Sequence, residues 1–172
     1  MIKLKVVFSV FLLVVAVAFA DKTDIFVQDV IKDAKNDVQR AELLFEAAVL
    51  ADGNEELQIT LLEKSAEFRA KNLKTNAACE KYQETINVLI EADVTRKCYW
   101  LSQRVTTYRC QLILSKAKSD EQKLARLTVA AMIKAGSAYI AIKDWEKALS
   151  LLNDGKTIIR IYKLTVPKQL HR

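Results

Sequence analysis

Three glycines and one proline are spread through 172 residues, and the proline stands near the C-terminus at Pro167. A β-sandwich or barrel needs a turn every 8–12 residues or so, and such turns draw heavily on these two residue types. A chain with so few breakers is left with long helices joined by short polar turns. Apolar residues make up 51% of the chain, too many for a disordered polymer, and the length suffices to bury one core. The single histidine, His171, lies in the C-terminal tail, and no Gly-rich loop is present. That removes most nucleophile–base and phosphate-cradling chemistry. The expectation is an all-α protein that is not an enzyme and carries no cofactor.

The first 20 residues read as a secretory signal. Lys3 and Lys5 form a positive start, residues 6–19 are apolar except for Ser9, and Ala18-Phe19-Ala20 offers small residues at the two positions a signal peptidase reads. The run is shorter than the roughly 20 apolar residues a membrane-spanning helix needs. An exported mature chain, periplasmic or extracellular, is therefore expected to begin at Asp21. It comprises one helical domain over 21–164 and a basic tail over 165–172, with no membrane span after cleavage.

Apolar spacing sets out six helices. Val27, Ile31, Ala34, Val38, Ala41, Phe45 and Ala48 alternate steps of four and three, predicting one helix over about 24–51. Gly53 ends it and Asn54 caps the next, over 55–71, which buries Leu57, Leu61, Leu62, Ser65 and Phe68. Thr75 or Asn76 caps a third, with Cys79, Tyr82, Ile86 and Leu89 on one face. Asp93 is expected to cap the fourth, whose stripe is Val94, Cys98, Leu101, Val105, Tyr108 and Leu112. Ser119 with Gln122 has the capping-box pattern for the fifth, which runs to about 142. Asp144 caps the sixth, which fades near residue 164. Short connections make neighbouring helices antiparallel.

The fifth and sixth helices contain AGSAYIAIKDWEKALSLL, residues 135–152. With Val129 as first position, this resembles a tetratricopeptide repeat, a 34-residue helix-turn-helix unit. Ala135-Gly136 falls on the family's Leu-Gly pair, Tyr139 on its aromatic, Asp144-Trp145 on its turn and Ala148 on its first small residue in the second helix; Leu152, which ends the window, is expected to pack with them. Gly136 and Ala148 lack bulk, so the helices can approach closely, with Tyr139 and Trp145 expected to fill the space beside them. Met132, Gly155 and Arg160 depart from the family, which prefers Trp, Ala and Pro there. A degenerate copy is suggested over 55–91 through Ser65, Phe68, Ala78, Tyr82 and Thr85.

The resemblance implies antiparallel hairpins stacked as a right-handed superhelix or short α-solenoid. It further implies a non-catalytic scaffold that binds a protein or peptide in a groove lined from each repeat's first helix. The matching positions are Ala130, Ile133, Ser137, Ile140 and Ala141, without the Lys, Arg or Asn that would clamp a terminal carboxylate. That face is expected to pack on another helix of the chain, since large exposed apolar patches are uncommon. A small self-associating bundle is the alternative.

Charge is divided along the chain. Residues 21–95 hold 9 Lys/Arg against 16 Asp/Glu, net −7, whereas residues 96–172 hold 16 against 5, net +11. Arg96, Lys97, Arg104, Arg109, Lys116, Lys118, Lys123 and Arg126 form a candidate basic face for an anionic partner. A solvated face, or attraction between the two halves, also accounts for the pattern. No nucleic-acid recognition motif is visible.

Three cysteines remain. Cys98 and Cys110 are about 18 Å apart along one helix at 1.5 Å per residue, too far to pair. If the third and fourth helices turn near residues 92–93, Cys79 and Cys110 are offset by about 6 Å, and Cys79 and Cys98 by about twice that. Two outcomes stay open, a Cys79–Cys110 disulfide or three reduced thiols. The cysteine spacings fit no common zinc pattern, so no metal is expected.

Overall fold

A computed structural model describes residues 22–51 and 53–165. The apolar segment over 1–20 and tail residues 166–172 lie outside the described residues. The described chain is all-helical and contains no strand: α1 (22–31), α2 (Asp37–Leu50), α3 (Glu55–Ala70), α4 (Asn76–Ala92), α5 (Lys97–Leu114), α6 (Lys118–Ala141) and α7 (Trp145–Ile161). It divides into two compact units, the boundary falling within α3 between Ser65 and Ala66.

The first unit corrects the single helix expected over 24–51. Helix α1 stops at residue 31, and α2 starts after Asn36, whose side chain accepts from Gln39 N at 2.9 Å. Gln39 Oε1 reaches back to accept from Lys35 N, also at 2.9 Å. This exchange is a close variant of the capping box, and it satisfies two amides that a new helix start would otherwise leave open. The apolar spacing runs through the break without a fault, which is why periodicity alone misses it. Beyond the break the stripe turns: Val38 is exposed, while Ala41, Leu44 and Ala48 are buried. Helices α2 and α3 run antiparallel. Ser65 Oγ donates to Ala41 O at 2.7 Å, and Gln58 Nε2 donates to Ala48 O at 3.2 Å. Fully buried Leu44, Leu61 and Leu62 each contribute on the order of 1.5–3 kcal/mol.

The second unit is built from α4 packed on α5, α5 on α6, and α6 on α7. Contacts between α4 and α5 pair Tyr82 with Gln103 and Gln83 with Tyr108, and those between α6 and α7 pair Gly136 with Leu152 and Met132 with Gly155. In the α6–α7 pair one number rises as the other falls, so the helices are antiparallel. The core holds Cys79, Tyr82, Ile86 and Leu89 from α4, with Trp100, Leu101, Val105 and Leu112 from α5. Helix α6 adds Ala125, Val129, Met132 and Ala135. Three threonines are buried among them, and each hydroxyl donates to a carbonyl one turn back: Thr85 to Lys81, Thr107 to Arg104, Thr128 to Leu124. Local bonding of this kind lets a hydroxyl enter a core without an unmet donor.

Several expected helix starts hold, with Thr75 accepting from Ala78 N, Asn54 from Leu57 N and Asp144 from Lys147 N. Two are corrected. Helix α6 starts after Ala117 with no side-chain cap, so Ser119 lies inside the helix and not before it. Asp93 lies three residues ahead of Arg96, the residue at the cap position of α5. Asp93 is itself buried: Oδ1 accepts from Arg96 N, and Oδ2 accepts from Arg96 Nε and from the buried Trp100 Nε1 at 2.9 Å. A carboxylate that binds an indole and a guanidinium fixes the entry to α5 more firmly than a simple cap. Val94, placed on the α5 stripe by spacing, lies before this helix begins and is exposed.

Candidate functional site

The hairpin of α6 and α7 closes on small residues. A Cβ at Gly136 would lie 3.3 Å from Leu152 Cγ and 3.6 Å from Ala148 O, so the absent side chain is what admits α7. Two of the three departures from the repeat pattern, Met132 and Gly155, face each other. A Cβ on Gly155 would lie 3.7 Å from Met132 Sδ, so the smaller residue on α7 accommodates the long thioether on α6. Ala135, Tyr139 and Ala148 are buried, and Leu152 is half-buried. Ser102 Oγ on α5 donates to Tyr139 OH at 3.1 Å. Trp145 is a correction. It is 61% exposed, because it opens α7 at the turn, while Tyr139 is buried.

The turn carries a second device. Lys143 N donates to Ile140 O and Asp144 N donates to Tyr139 O, which is the Schellman pattern, with Lys143 at φ 63° in the place glycine usually takes. The same pattern ends α7, where Leu164 N donates to Ile159 O and Lys163 has φ 49°. Asp144 then caps α7 and pairs with Lys147 at 2.9 Å, which holds its carboxyl below the usual range.

The face of α6 expected to pack on another helix is open instead. Ala130, Ser137, Ile140 and Ala141 are exposed and Ile133 is half-buried. Helix α6 spends its buried side on α5 and α7 through residues such as Thr128, Ala131, Met132 and Ala135, and these occupy a different sector of the helix. Among the described residues α6 is also the one helix long and apolar enough to cross a membrane, and 44% of its apolar window is buried within the protein.

Between α4, the end of α5 and the start of α6 lies a cleft of about 730 Å³. Asn76, Glu80 and Gln83 line it from α4, Tyr108 and Gln111 from α5, and Lys116, Asp120 and Lys123 from the turn and α6. Its floor is an amide ladder: Gln111 Nε2 donates to Gln83 Oε1 at 3.2 Å, and Gln83 Nε2 donates to Tyr108 OH at 3.0 Å. Nearby, Tyr82 OH donates to Gln103 Oε1, and burial first, then Tyr99 and Cys110, push this phenol up to about 12. Sequence reasoning missed the ladder. The only sign is a glutamine beside Leu112 on a mostly apolar stripe; its partner Gln83 is 28 residues away, and Gln83 in turn bonds Tyr108 across 25 residues.

The basic residues do not form one free face. Arg96 is held by Asp93 and lies over the Trp100 ring at 5.1 Å, and Arg109 is paired with Asp154 of α7. Arg104 is half-buried, and its Nε lies within the protein without a hydrogen bond. Lys97, Lys116, Lys118, Lys123 and Arg126 are exposed, the last four around the α5–α6 turn. All three cysteines are free thiols: Cys79 on α4 is buried, Cys110 on α5 is half-buried beside Gln111, which bonds Gln83 of α4, and Cys98 is half-buried nearer the start of α5. Among the described residues no group of His, Cys, Asp or Glu is arranged to hold a metal ion.

Compared with family models, curated proteins and solved structures, the chain matches none.

Proposed function

We propose that this chain is an exported, non-catalytic helical-repeat protein, with hairpins packed in the tetratricopeptide manner, that serves as a scaffold for a protein or peptide partner. The observation that carries the reading is the open face of α6. Ala130, Ser137, Ile140 and Ala141 stand at the groove positions of the resemblance and are exposed. The close contact of Gly136 with Leu152 and Ala148 supports the repeat-like packing of the hairpin behind that face. Export rests on the signal pattern of residues 1–20, and a processed chain beginning at Asp21 is its direct mass-spectrometric test.

The scaffold reading is tested by retention from the exported fraction on the tagged full chain, wild type beside Ile140→Glu. Ile140 is 40% exposed, so a carboxylate is tolerated there without loss of helix. The expected result is a distinct partner retained by wild type and lost by the variant, with unchanged circular dichroism. Retention of the chain alone, or equal retention by both, rejects the reading.

Self-association is favoured by a separate observation. Ile142, Trp145 and Leu149 are each at least 60% exposed around the α6–α7 turn. Sedimentation velocity over a range of concentrations decides this: a dimer that Trp145→Glu dissociates makes the protein a self-assembling bundle. An anionic partner would engage the α5–α6 turn, where Lys116, Lys118, Lys123 and Arg126 cluster, and its affinity would fall with added salt.

A further inference from the structure

We propose that Cys79 and Cys110 are a reversible thiol–disulfide pair that ties α4 to α5 at the edge of the cleft and exchanges with low-molecular-weight disulfides. Three observations carry this. Cys79 and Cys110 stand at one level of the packed pair of α4 and α5: Cys79 lies one turn before Gln83, and Gln83 bonds Gln111, the residue that follows Cys110. Their exposure is unequal: Cys79 is fully buried and Cys110 half-buried, which separates a thiol that an outside disulfide can reach from one that it cannot. Their chain neighbours, Glu80 of α4 and Gln111 of α5, both line the cleft, so a bond between the cysteines ties together two of the helices that form it. Cys98 lies on the same helix as Cys110, about 18 Å up its axis, and is no partner for it.

The chemistry follows from the exposure. The Cys110 thiolate attacks one sulfur of a disulfide R–S–S–R, the S–S bond breaks, and one R–S⁻ leaves. The Cys79 thiol gives up its proton and attacks the Cys110 sulfur of the mixed disulfide, expelling the second R–S⁻. The two protein thiols are oxidised to one disulfide, R–S–S–R is reduced to two R–SH, and these carry the two protons. In the reduced protein burial first, then Cys110, push the Cys79 thiol up to about 11; the burial persists in the mixed disulfide, which makes the second step the slower one and speeds it as pH rises. The inference does not depend on the scaffold reading and holds or fails without a partner.

Trypsin separates the three cysteines, because TNAACEK, CYWLSQR and CQLILSK are each bounded by Lys or Arg. The full chain is treated with oxidised glutathione, quenched with an alkylating agent and mapped by mass spectrometry. The expected product is TNAACEK joined to CQLILSK within one chain, with CYWLSQR alkylated, and reversal by dithiothreitol. Cys98→Ser gives the same product, while Cys79→Ser stops at glutathione on Cys110. Closing a loop of this length raises Tm by roughly 5–15 °C. A link through Cys98, a link only between chains, or glutathione that stays on Cys110 of the wild type overturns the proposal. If Cys79→Ser does not fold, the wild-type map decides alone.

Discussion

Replacing Gly136 with Ala sets helix propensity against packing in one substitution. In a helix interior Ala is better than Gly by about 0.8–1.0 kcal/mol. The new Cβ, however, would lie 3.3 Å from Leu152 Cγ and 3.4 Å from Leu152 Cδ2, inside the optimal carbon separation of about 3.5–4.0 Å. Leu152 is half-buried and can rotate away, at a cost of about 0.5–1 kcal/mol for leaving its rotamer. The two effects nearly cancel, so Gly136→Ala should change stability by less than about 0.5 kcal/mol. Gly155→Ala provides the comparison. Its Cβ would meet Met132 at 3.7 Å and 3.9 Å, ordinary contact, and the whole propensity gain of about 1 kcal/mol should appear. In a Leu152→Ala background the clash is gone, and Gly136→Ala should then gain about 1 kcal/mol, a coupling of about 0.5–1 kcal/mol. Urea unfolding followed at 222 nm measures all four variants, with m expected to stay constant. If Gly136→Ala stabilises the wild type as much as Gly155→Ala does, α6 and α7 are not in close contact and the hairpin geometry is wrong.

Three further outcomes are expected. Asp93→Ala strands the buried Trp100 Nε1 and should cost about 2–4 kcal/mol in urea unfolding; a loss below about 0.5 kcal/mol means that the carboxylate does not hold the indole. Lys143→Gly relieves a left-handed backbone and should stabilise by about 0.5–1 kcal/mol, and an unchanged urea midpoint argues against the Schellman turn. The Cys79 thiol, raised from 9.0 to about 11, favours the neutral form in the folded state. Its contribution to stability is therefore complete below pH 9 and is lost as pH rises towards 11. Cys79→Ala should flatten that alkaline decline, and iodoacetamide at pH 8 should label Cys110 and Cys98 well before Cys79.

Much of the fold is legible in the residues themselves. The core faces of α3 to α6 repeat every three or four positions, and Asn54, Thr75 and Asp144 announce helix starts through local bonds to the next turn. The break before α2 is also written locally, in Asn36 and Gln39, but the apolar period runs through it unbroken. Asp93 has the local signature of a cap, the commonest use of such a residue before a helix. Its actual use depends on Trp100 being carried into the interior, which no short-range rule supplies.

The residues alone specify that the chain is helical and roughly where its helices start and stop. Those properties depend on groups within a few residues of each other. Which α6 face stays open, the exposure of Trp145, and the joining of Gln83, Tyr108 and Gln111 into one ladder follow from how the helices pack. Each of these outcomes depends on which helix lies beside which, and that is set by the summed burial of many side chains far apart in the chain.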